Sequence, residues 1–158
     1  MQKILILGLG NTLLSDEGVG VHVVQALAAA PVDDGVELLD GGTLGFVLAG
    51  PVAEAAALVV VDAAQLHEAP GTVRVFKDAE MDSFLAGTRK GSVHEVGLID
   101  LMGIARLTDT WPARRALVAI QPGRVDWGEA ASAPVAAAVP LACGHIRSLL
   151  REWRHGAA

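Results

Sequence analysis

Apolar positions along this chain alternate between short continuous runs and runs with helical spacing. Continuous runs of about four residues predict buried strands, whereas apolar residues spaced three and four apart predict helices that pack on them. In chain order the pattern predicts a strand at 4–7, a helix at 19–27, a strand at 36–39, a helix at 44–53 and a strand at 58–61. This βαβαβ order implies parallel strands joined by right-handed crossovers, with helices on the sheet faces.

The second half of the chain departs from strict alternation. The tight turn at Pro70-Gly71 precedes a strand at 73–76, which favours antiparallel pairing at a sheet edge. Residues 77–91 predict a loop with at most a short helix, and a helix at 96–107, a strand at 117–120 and a closing helix at 135–153 follow. Pro140 is expected to kink that last helix or to mark its real start. The predicted fold is α/β: a three-layer α/β/α sandwich on a twisted, mixed, mostly parallel sheet of about five strands, with 1–158 as one domain.

Composition narrows the class of protein. The net charge of −6 and the lack of a dense cationic stripe argue against a nucleic-acid partner. The single cysteine, Cys143, excludes an internal disulfide and a thiolate zinc cluster and favours a reducing, cytoplasmic setting. Charged residues interrupt every long apolar stretch, and the first run is too short for a signal peptide. We therefore expect a soluble protein with no membrane partner.

Acidic residues follow each of the first three predicted strands. Asp16 and Glu17 come after the first, Asp40 after the second and Asp62 after the third, while His94 falls on a later predicted loop. The carboxyl ends of strands form the ligand crevice of an open α/β sheet, so these side chains are expected to converge. Two carboxylates and an imidazole would suit a borderline divalent metal and leave positions open for substrate atoms.

Each of these residues also has an ordinary explanation. Asp16 and Glu17 are typical of residues that cap a helix or complement its dipole, and Asp62 is compatible with the same role in the next turn. His94 is equally compatible with an unremarkable loop histidine, and Cys143 with an inert packed thiol. The residues alone leave both interpretations open.

The glycine turn at Gly8-Leu9-Gly10 is an incomplete dinucleotide fingerprint. Leu13 occupies the place of the third glycine, and the sequence has no Gly-Lys-Ser/Thr phosphate loop. We expect no nucleotide cofactor.

Five ordered motifs together resemble one known family, the nickel-iron hydrogenase maturation endopeptidases. The resemblance runs from the first strand to the final helix and therefore covers nearly the whole chain. The motifs are Gly8-Leu9-Gly10-Asn11-Thr12 with its continuation to Gly20, Leu39-Asp40-Gly41-Gly42-Thr43, Val61-Asp62-Ala63, Ser92-Val93-His94-Glu95 and Ile120-Gln121-Pro122.

The resemblance implies an aspartyl-type endopeptidase that removes the C-terminal extension of the nickel-loaded hydrogenase large subunit precursor. It implies metal contacts by Glu17, Asp62 and His94, with nickel supplied by the substrate. It makes Asp40 a candidate for catalysis and, with Gly41, Gly42 and Thr43, for substrate binding. Asp16 is then left as the expected helix cap.

Two other functions stay open beside this one. One is a nickel-binding chaperone that holds metal without cutting a peptide bond. The other is a peptidyl-tRNA hydrolase-like enzyme, because that family also begins with a strand and Gly-Leu-Gly-Asn. The acidic charge and the Asp-Gly-Gly-Thr and Gln-Pro segments favour the endopeptidase.

Overall fold

The protein is described as a computed structural model of residues 3–30, 33–43, 45–87 and 93–155, without the side chains of 45, 46 and 93–96. Within these residues a five-stranded sheet has the order β2-β1-β3-β5-β4. The β1/β2, β1/β3 and β3/β5 pairs are parallel, and β4 pairs with β5 antiparallel. The strands are β1 (Ile4–Leu9), β2 (Val36–Gly42), β3 (Ala57–Ala63), β4 (Val73–Lys77) and β5 (Arg114–Ile120). The predicted mixed sheet with an antiparallel edge strand is confirmed.

Helices cover both faces of this sheet and give the three layers that the sequence predicts. They are α1 (Val19–Ala28), α2 (Ala49–Glu54), α3 (Ala79–Gly87), α4 (Val93–Leu107) and α5 (Ala133–His155). Alternate residues of β3 point to opposite sides, as in any strand. Val59 and Val61 join a core with α1 and α5, whereas Leu58 and Val60 join a core with α2, α3 and α4.

Several predicted boundaries are wrong, and the errors fall at the ends of strands. β1 continues to Leu9, β2 continues through Gly41 and Gly42, and β3 continues to Ala63. Asp40 and Asp62 therefore lie inside strands rather than after them. Gly41 does not break β2 but lies inside it. Its lack of a side chain suits this tightly packed position, where a Cβ would stand 2.7 Å from a methyl of Leu7.

The helices also differ in extent from the pattern. The segment predicted as a loop with at most a short helix contains the nine-residue α3, and α4 starts at Val93, three residues before its predicted start. His94 consequently belongs to the first turn of α4 and not to a loop. α5 runs uninterrupted through Pro140, so the proline is not the start of that helix.

Helix α5 is long and apolar enough by length and composition to cross a membrane, and it is the one such helix among the described residues. Its buried residues recur every three or four positions, as in an amphipathic core helix. Ala138, Ala142 and Ile146 are within 1% of full burial and pack in the core shared with α1. The exposed positions carry charges at Arg147, Arg151 and Arg154, so we assign α5 to the protein core.

Candidate active site at the carboxyl edge of the sheet

Glycines bring the turn after β1 against the ends of two strands. Gly10 has a φ of +125°, and a Cβ there would stand 1.8 Å from the carbonyl oxygen of Glu17. A Cβ on Gly20, in the first turn of α1, would stand 2.2 Å from the carbonyl oxygen of Val61 and 2.4 Å from that of Leu9. The 3-10 turn Ser15–Gly18 therefore lies on the carboxyl edge of the sheet, in contact with β3.

Asp62 occupies the same edge of β3, next to the contact between Gly20 and Val61. Its side chain is buried, with 2% of its surface exposed. Register pairs Asp62 with Ala119 of β5, and Ala119 belongs to the core on the α4 side of the sheet. The carboxylate of Asp62 thus points to the α4 side, and the half-buried Glu17 lies on the neighbouring turn.

His94 enters this region through the position of α4. Leu98 and Leu101, one and two turns after His94, pack in the same core as Val60 of β3. The helix that carries His94 therefore covers the face to which Asp62 points. The imidazole lies outside the described side chains, and among those that are described no three His, Cys, Asp or Glu residues form a metal-binding group. The set Glu17, Asp62 and His94 stays a prediction.

Asp40 lies on the opposite side of the sheet from Asp62. Register pairs it with Gly8, whose missing Cβ would meet the backbone of Gly20 and a methyl of Val24 on α1. β1 separates β2 from β3, so the two backbones are about 10 Å apart at the usual strand spacing. The exposed carboxylate of Asp40 accepts a hydrogen bond of 3.0 Å from the Gly42 N–H.

Three of the four predicted substrate-binding residues, Asp40, Gly42 and Thr43, line one cleft. The cleft has a volume of about 250 Å³, and its walls are Gly10, Asn11, Thr12 and Val21 on one side and Asp40, Gly42 and Thr43 on the other. Gly41 is buried beneath Leu7, Leu9 and Leu48 and does not line it. Gly42 and Thr43 also border a small apolar pocket formed with Leu9, Leu48, Gly97, Leu98 and Leu101. The end of β2 thus joins a polar cleft to an apolar pocket.

The prediction that Asp16 caps the following helix is wrong. Leu14 and Gly18 occupy the N-cap positions of the 3-10 turn and of α1, and neither makes a side-chain cap hydrogen bond. Asp16 is fully buried, and its carboxylate turns instead to the loop between β5 and α5. There it accepts hydrogen bonds from the backbone N–H groups of Gly123, Arg124 and Ser132 and from the Ser132 hydroxyl.

These contacts keep Asp16 ionised. Burial raises the pKa of the Asp16 carboxyl, but hydrogen bonds from Arg124, Ser132 and Gly123 outweigh it and leave that pKa below its usual value. Sequence reasoning missed this network because most of its donors are backbone N–H groups more than 100 residues away. Backbone donors leave no signature in residue type.

The loop that binds Asp16 presents an apolar surface to solvent. Trp127 is 77% exposed, and Leu13 and Val125 are about half exposed nearby in the same region. The loop is joined to the turn after β1 by a backbone hydrogen bond of 2.9 Å from the Gly128 N–H to the Leu13 carbonyl. Trp111, by contrast, is half-buried and donates its indole N–H to Asp82.

Comparison with known proteins identifies the class to which this fold belongs. A family model described as hydrogenase maturation protease matches residues 21–149, so the chain belongs to the hydrogenase maturation protease family and is a peptide-bond hydrolase.

Individual members of the family align over nearly the whole chain. The solved structure of the hydrogenase maturating endopeptidase HybD from Escherichia coli is 36% identical, with a TM-score of 0.89, covering 96% of this chain and 93% of that one. HybD from Thermococcus kodakarensis is 29% identical with a TM-score of 0.75, over 94% and 99% of the two chains. The hydrogenase expression/formation protein HupD from Rhizobium leguminosarum bv. viciae is 39% identical, over 96% of this chain and 75% of its own length.

Proposed function

We propose that this protein removes the C-terminal extension of the nickel-loaded large subunit precursor of a nickel-iron hydrogenase. The observation that carries the proposal is the placement of Glu17 and Asp62 on the carboxyl edge of the sheet, with α4, whose first turn contains His94, covering the face to which Asp62 points. Its similarity to a protein named as a hydrogenase 2 maturation protease, from Escherichia coli (strain K12), supports a hydrogenase subunit as the partner. That relative is 36% identical over 95% of this chain.

Nickel enters this proposal as part of the substrate. Two carboxylates and an imidazole form a mixed oxygen and nitrogen donor set that suits a borderline divalent ion and leaves coordination positions free. Glu17, Asp62 and His94 then recognise nickel that is already held by the precursor. Only the loaded precursor would be aligned for cleavage, so recognition of the metal becomes recognition of the substrate.

In this proposal Asp40 takes part in binding the polypeptide tail. The cleft beside it combines a carboxylate with the backbone of Gly42 and the polar side chains of Asn11 and Thr43. A general base must come within hydrogen-bond distance of the attacking water, about 3 Å. Asp40 and Asp62 face opposite sides of the sheet. Asp40 can therefore act as that base only if the bound tail places the attacking water within hydrogen-bond distance of the Asp40 carboxylate.

A cytoplasmic setting agrees with the state of Cys143. This thiol is free and buried, and burial raises its pKa above the ordinary value. A protonated, packed thiol needs no oxidising compartment and takes no part in the proposed cleavage.

Substitution of the three predicted metal contacts tests the proposal. We expect Glu17→Ala, Asp62→Ala and His94→Ala each to abolish removal of the tail from nickel-loaded precursor, as measured by mass spectrometry of the large subunit. Circular dichroism checks that each variant is folded. Glu54→Ala is the matched control, because Glu54 is an exposed carboxylate at the end of α2 and should leave cleavage unchanged. Full cleavage by all three variants would rule out the proposed site.

The state of the precursor separates this function from its alternatives. We expect no cleavage of precursor that lacks nickel, and equal rates for empty and loaded precursor would remove the role of nickel as a recognition element. Tight nickel binding without any trimmed product would identify a chaperone instead. Release of peptide from peptidyl-tRNA would identify a peptidyl-tRNA hydrolase-like enzyme.

A further inference from the structure

The carboxylate of Asp16 accepts four hydrogen bonds, and Asp16 directly precedes Glu17. Its Oδ2 accepts from the N–H of Gly123 at 2.8 Å, from the N–H of Arg124 at 2.7 Å and from the Ser132 hydroxyl at 2.7 Å. Its Oδ1 accepts from the Ser132 N–H at 2.6 Å. Three of these four donors are backbone N–H groups, so the conformation of the loop fixes their positions.

The same loop holds the backbone of the turn on both sides of Asp16. The N–H of Asp16 donates to the carbonyl of Arg124 at 2.9 Å, and the N–H of Ser15 donates to the carbonyl of Gly128 at 2.8 Å. The Ser15 hydroxyl donates to the carbonyl of Asp126 at 2.8 Å. Ser15 is fully buried with a φ of +52°, a conformation that a non-glycine residue keeps only when its surroundings enforce it.

We infer that Asp16 is a positioning residue that holds Glu17 at the carboxyl edge of β3 through the loop 122–132. This inference rests on the proposed role of Glu17 as a metal contact. The turn itself is short and irregular, and its 3-10 helix lacks a side-chain cap. The hydrogen bonds to the loop therefore set where the Glu17 side chain begins, and a shift of about 1 Å in such a group costs a large part of its activity.

The decisive variant is Asp16→Asn. An amide keeps the volume but replaces one acceptor oxygen with an NH₂ group, which faces N–H donors and cannot accept from them. We expect kcat for tail removal to fall about tenfold or more, with KM within about threefold, the scale seen when a partner of a metal contact is lost. We also expect the dissociation constant of added Ni²⁺ for the free protein to rise about tenfold or more, measured by titration calorimetry.

Asp82→Asn is the matched control for stability. Asp82 is also a largely buried carboxylate with several hydrogen bonds, but its partner Arg115 is the second residue of β5, at the opposite edge of the sheet. Both substitutions should lower the melting temperature. Activity is therefore measured well below the melting temperatures of both variants, so that a loss of kcat reflects positioning and not unfolding. Asp82→Asn should keep kcat within about twofold of the parent. An equal loss of kcat in the two variants would overturn the inference.

A double variant tests whether Asp16 acts through Glu17. When Glu17→Gln has already removed the charge, Asp16→Asn should raise the Ni²⁺ dissociation constant no further, because neighbouring residues that act as one unit are not additive. Independent, multiplying effects would contradict the inference. If the parent protein processes no precursor, the proposed function fails while Ni²⁺ titration still decides the role of Asp16. If the free parent binds no Ni²⁺, the metal reaches Glu17 only with the precursor, and the kcat of Asp16→Asn then decides the inference.

Discussion

Gly20 shows how closely a single position controls the site. A Cβ there would meet two carbonyl oxygens, of Val61 and of Leu9, at less than 2.5 Å. Both atoms belong to the backbone of central strands, so neither can move as a side chain would. The missing side chain of Gly20 lets α1 and the preceding turn rest directly on β1 and β3.

We expect Gly20→Ala to lower the free energy of unfolding by about 1–3 kcal/mol, the range for overpacking a dense core. Cleavage activity should also fall, because α1 can relieve the clash only by moving away from the strands and taking the Glu17 turn with it. Chemical denaturation and the rate of tail removal measure the two effects.

Gly144→Ala provides the control, because this helical glycine has open space around its Cα. Alanine there should stabilise the protein by about 0.5–1 kcal/mol and leave activity unchanged. A Gly20→Ala variant as stable and active as the parent would show that α1 is not fixed by this contact.

The unit formed by β1, the turn and α1 also shows what sequence can and cannot predict. The apolar run at Ile4 and the helical spacing from Val19 to Leu27 predict both elements correctly, because burial selects residue types at those positions. The ends of β2 and β3 are mispredicted, because backbone pairing extends a strand beyond its apolar residues. Asp40 and Asp62 stay in register with β1 and β5 whatever their polarity.

The candidate site is predictable only in part for a related reason. Parallel strands with a shared carboxyl edge follow from the βαβ pattern, so the placement of the Glu17 turn and of Asp62 at one edge follows from the sequence. The face of the sheet to which each acidic side chain points depends on the exact register of its strand. In the observed register Asp40 and Asp62 point to opposite faces. The partners of Asp16 depend on a loop conformation that residue types do not encode.

Helix α5 yields a prediction about Pro140. This exposed residue lies inside the helix, where proline removes one backbone donor and crowds the preceding turn. We expect Pro140→Ala to raise the free energy of unfolding by about 1–3 kcal/mol. Leu141→Ala, at the adjacent exposed position, should change it by less than about 0.5 kcal/mol. Thermal and urea denaturation of both variants test this, and a destabilised Pro140→Ala would show that the local geometry of α5 requires proline.

At the scale of the whole molecule, the two edges of the sheet are held by different carboxylates. Asp16 holds the carboxyl edge, and Asp82 holds the amino edge through Arg115 and the indole of Trp111. Burial raises the pKa of Asp82, but hydrogen bonds from Arg115 and Trp111 and the charges of Arg115 and Arg106 lower it below the usual value. Both edges therefore lose stability in acid.

The pH dependence of Asp82→Asn tests that statement. A depressed folded-state pKa adds stability above the unfolded value of about 3.9, and this contribution is lost as the pH falls toward the folded-state pKa. We expect the variant to be less stable than the parent by about 1–2 kcal/mol at pH 7. The difference should shrink as the pH falls below about 4. A difference that is constant over this range, in denaturation at several pH values, would show that the charge of Asp82 contributes nothing.

The exposure of Trp127 gives the protein an optical reporter of its own. The chain has three tryptophans, and Trp153 is buried while Trp111 is half-buried. Soluble quenchers in the medium will therefore act chiefly on the emission of Trp127. Because the Gly128 N–H of its loop donates to the Leu13 carbonyl in the turn that leads to Glu17, a polypeptide bound over that turn and loop would shield this indole. We therefore expect binding of a hydrogenase subunit there to be measurable by fluorescence quenching in the unlabelled protein, before any bond is cut.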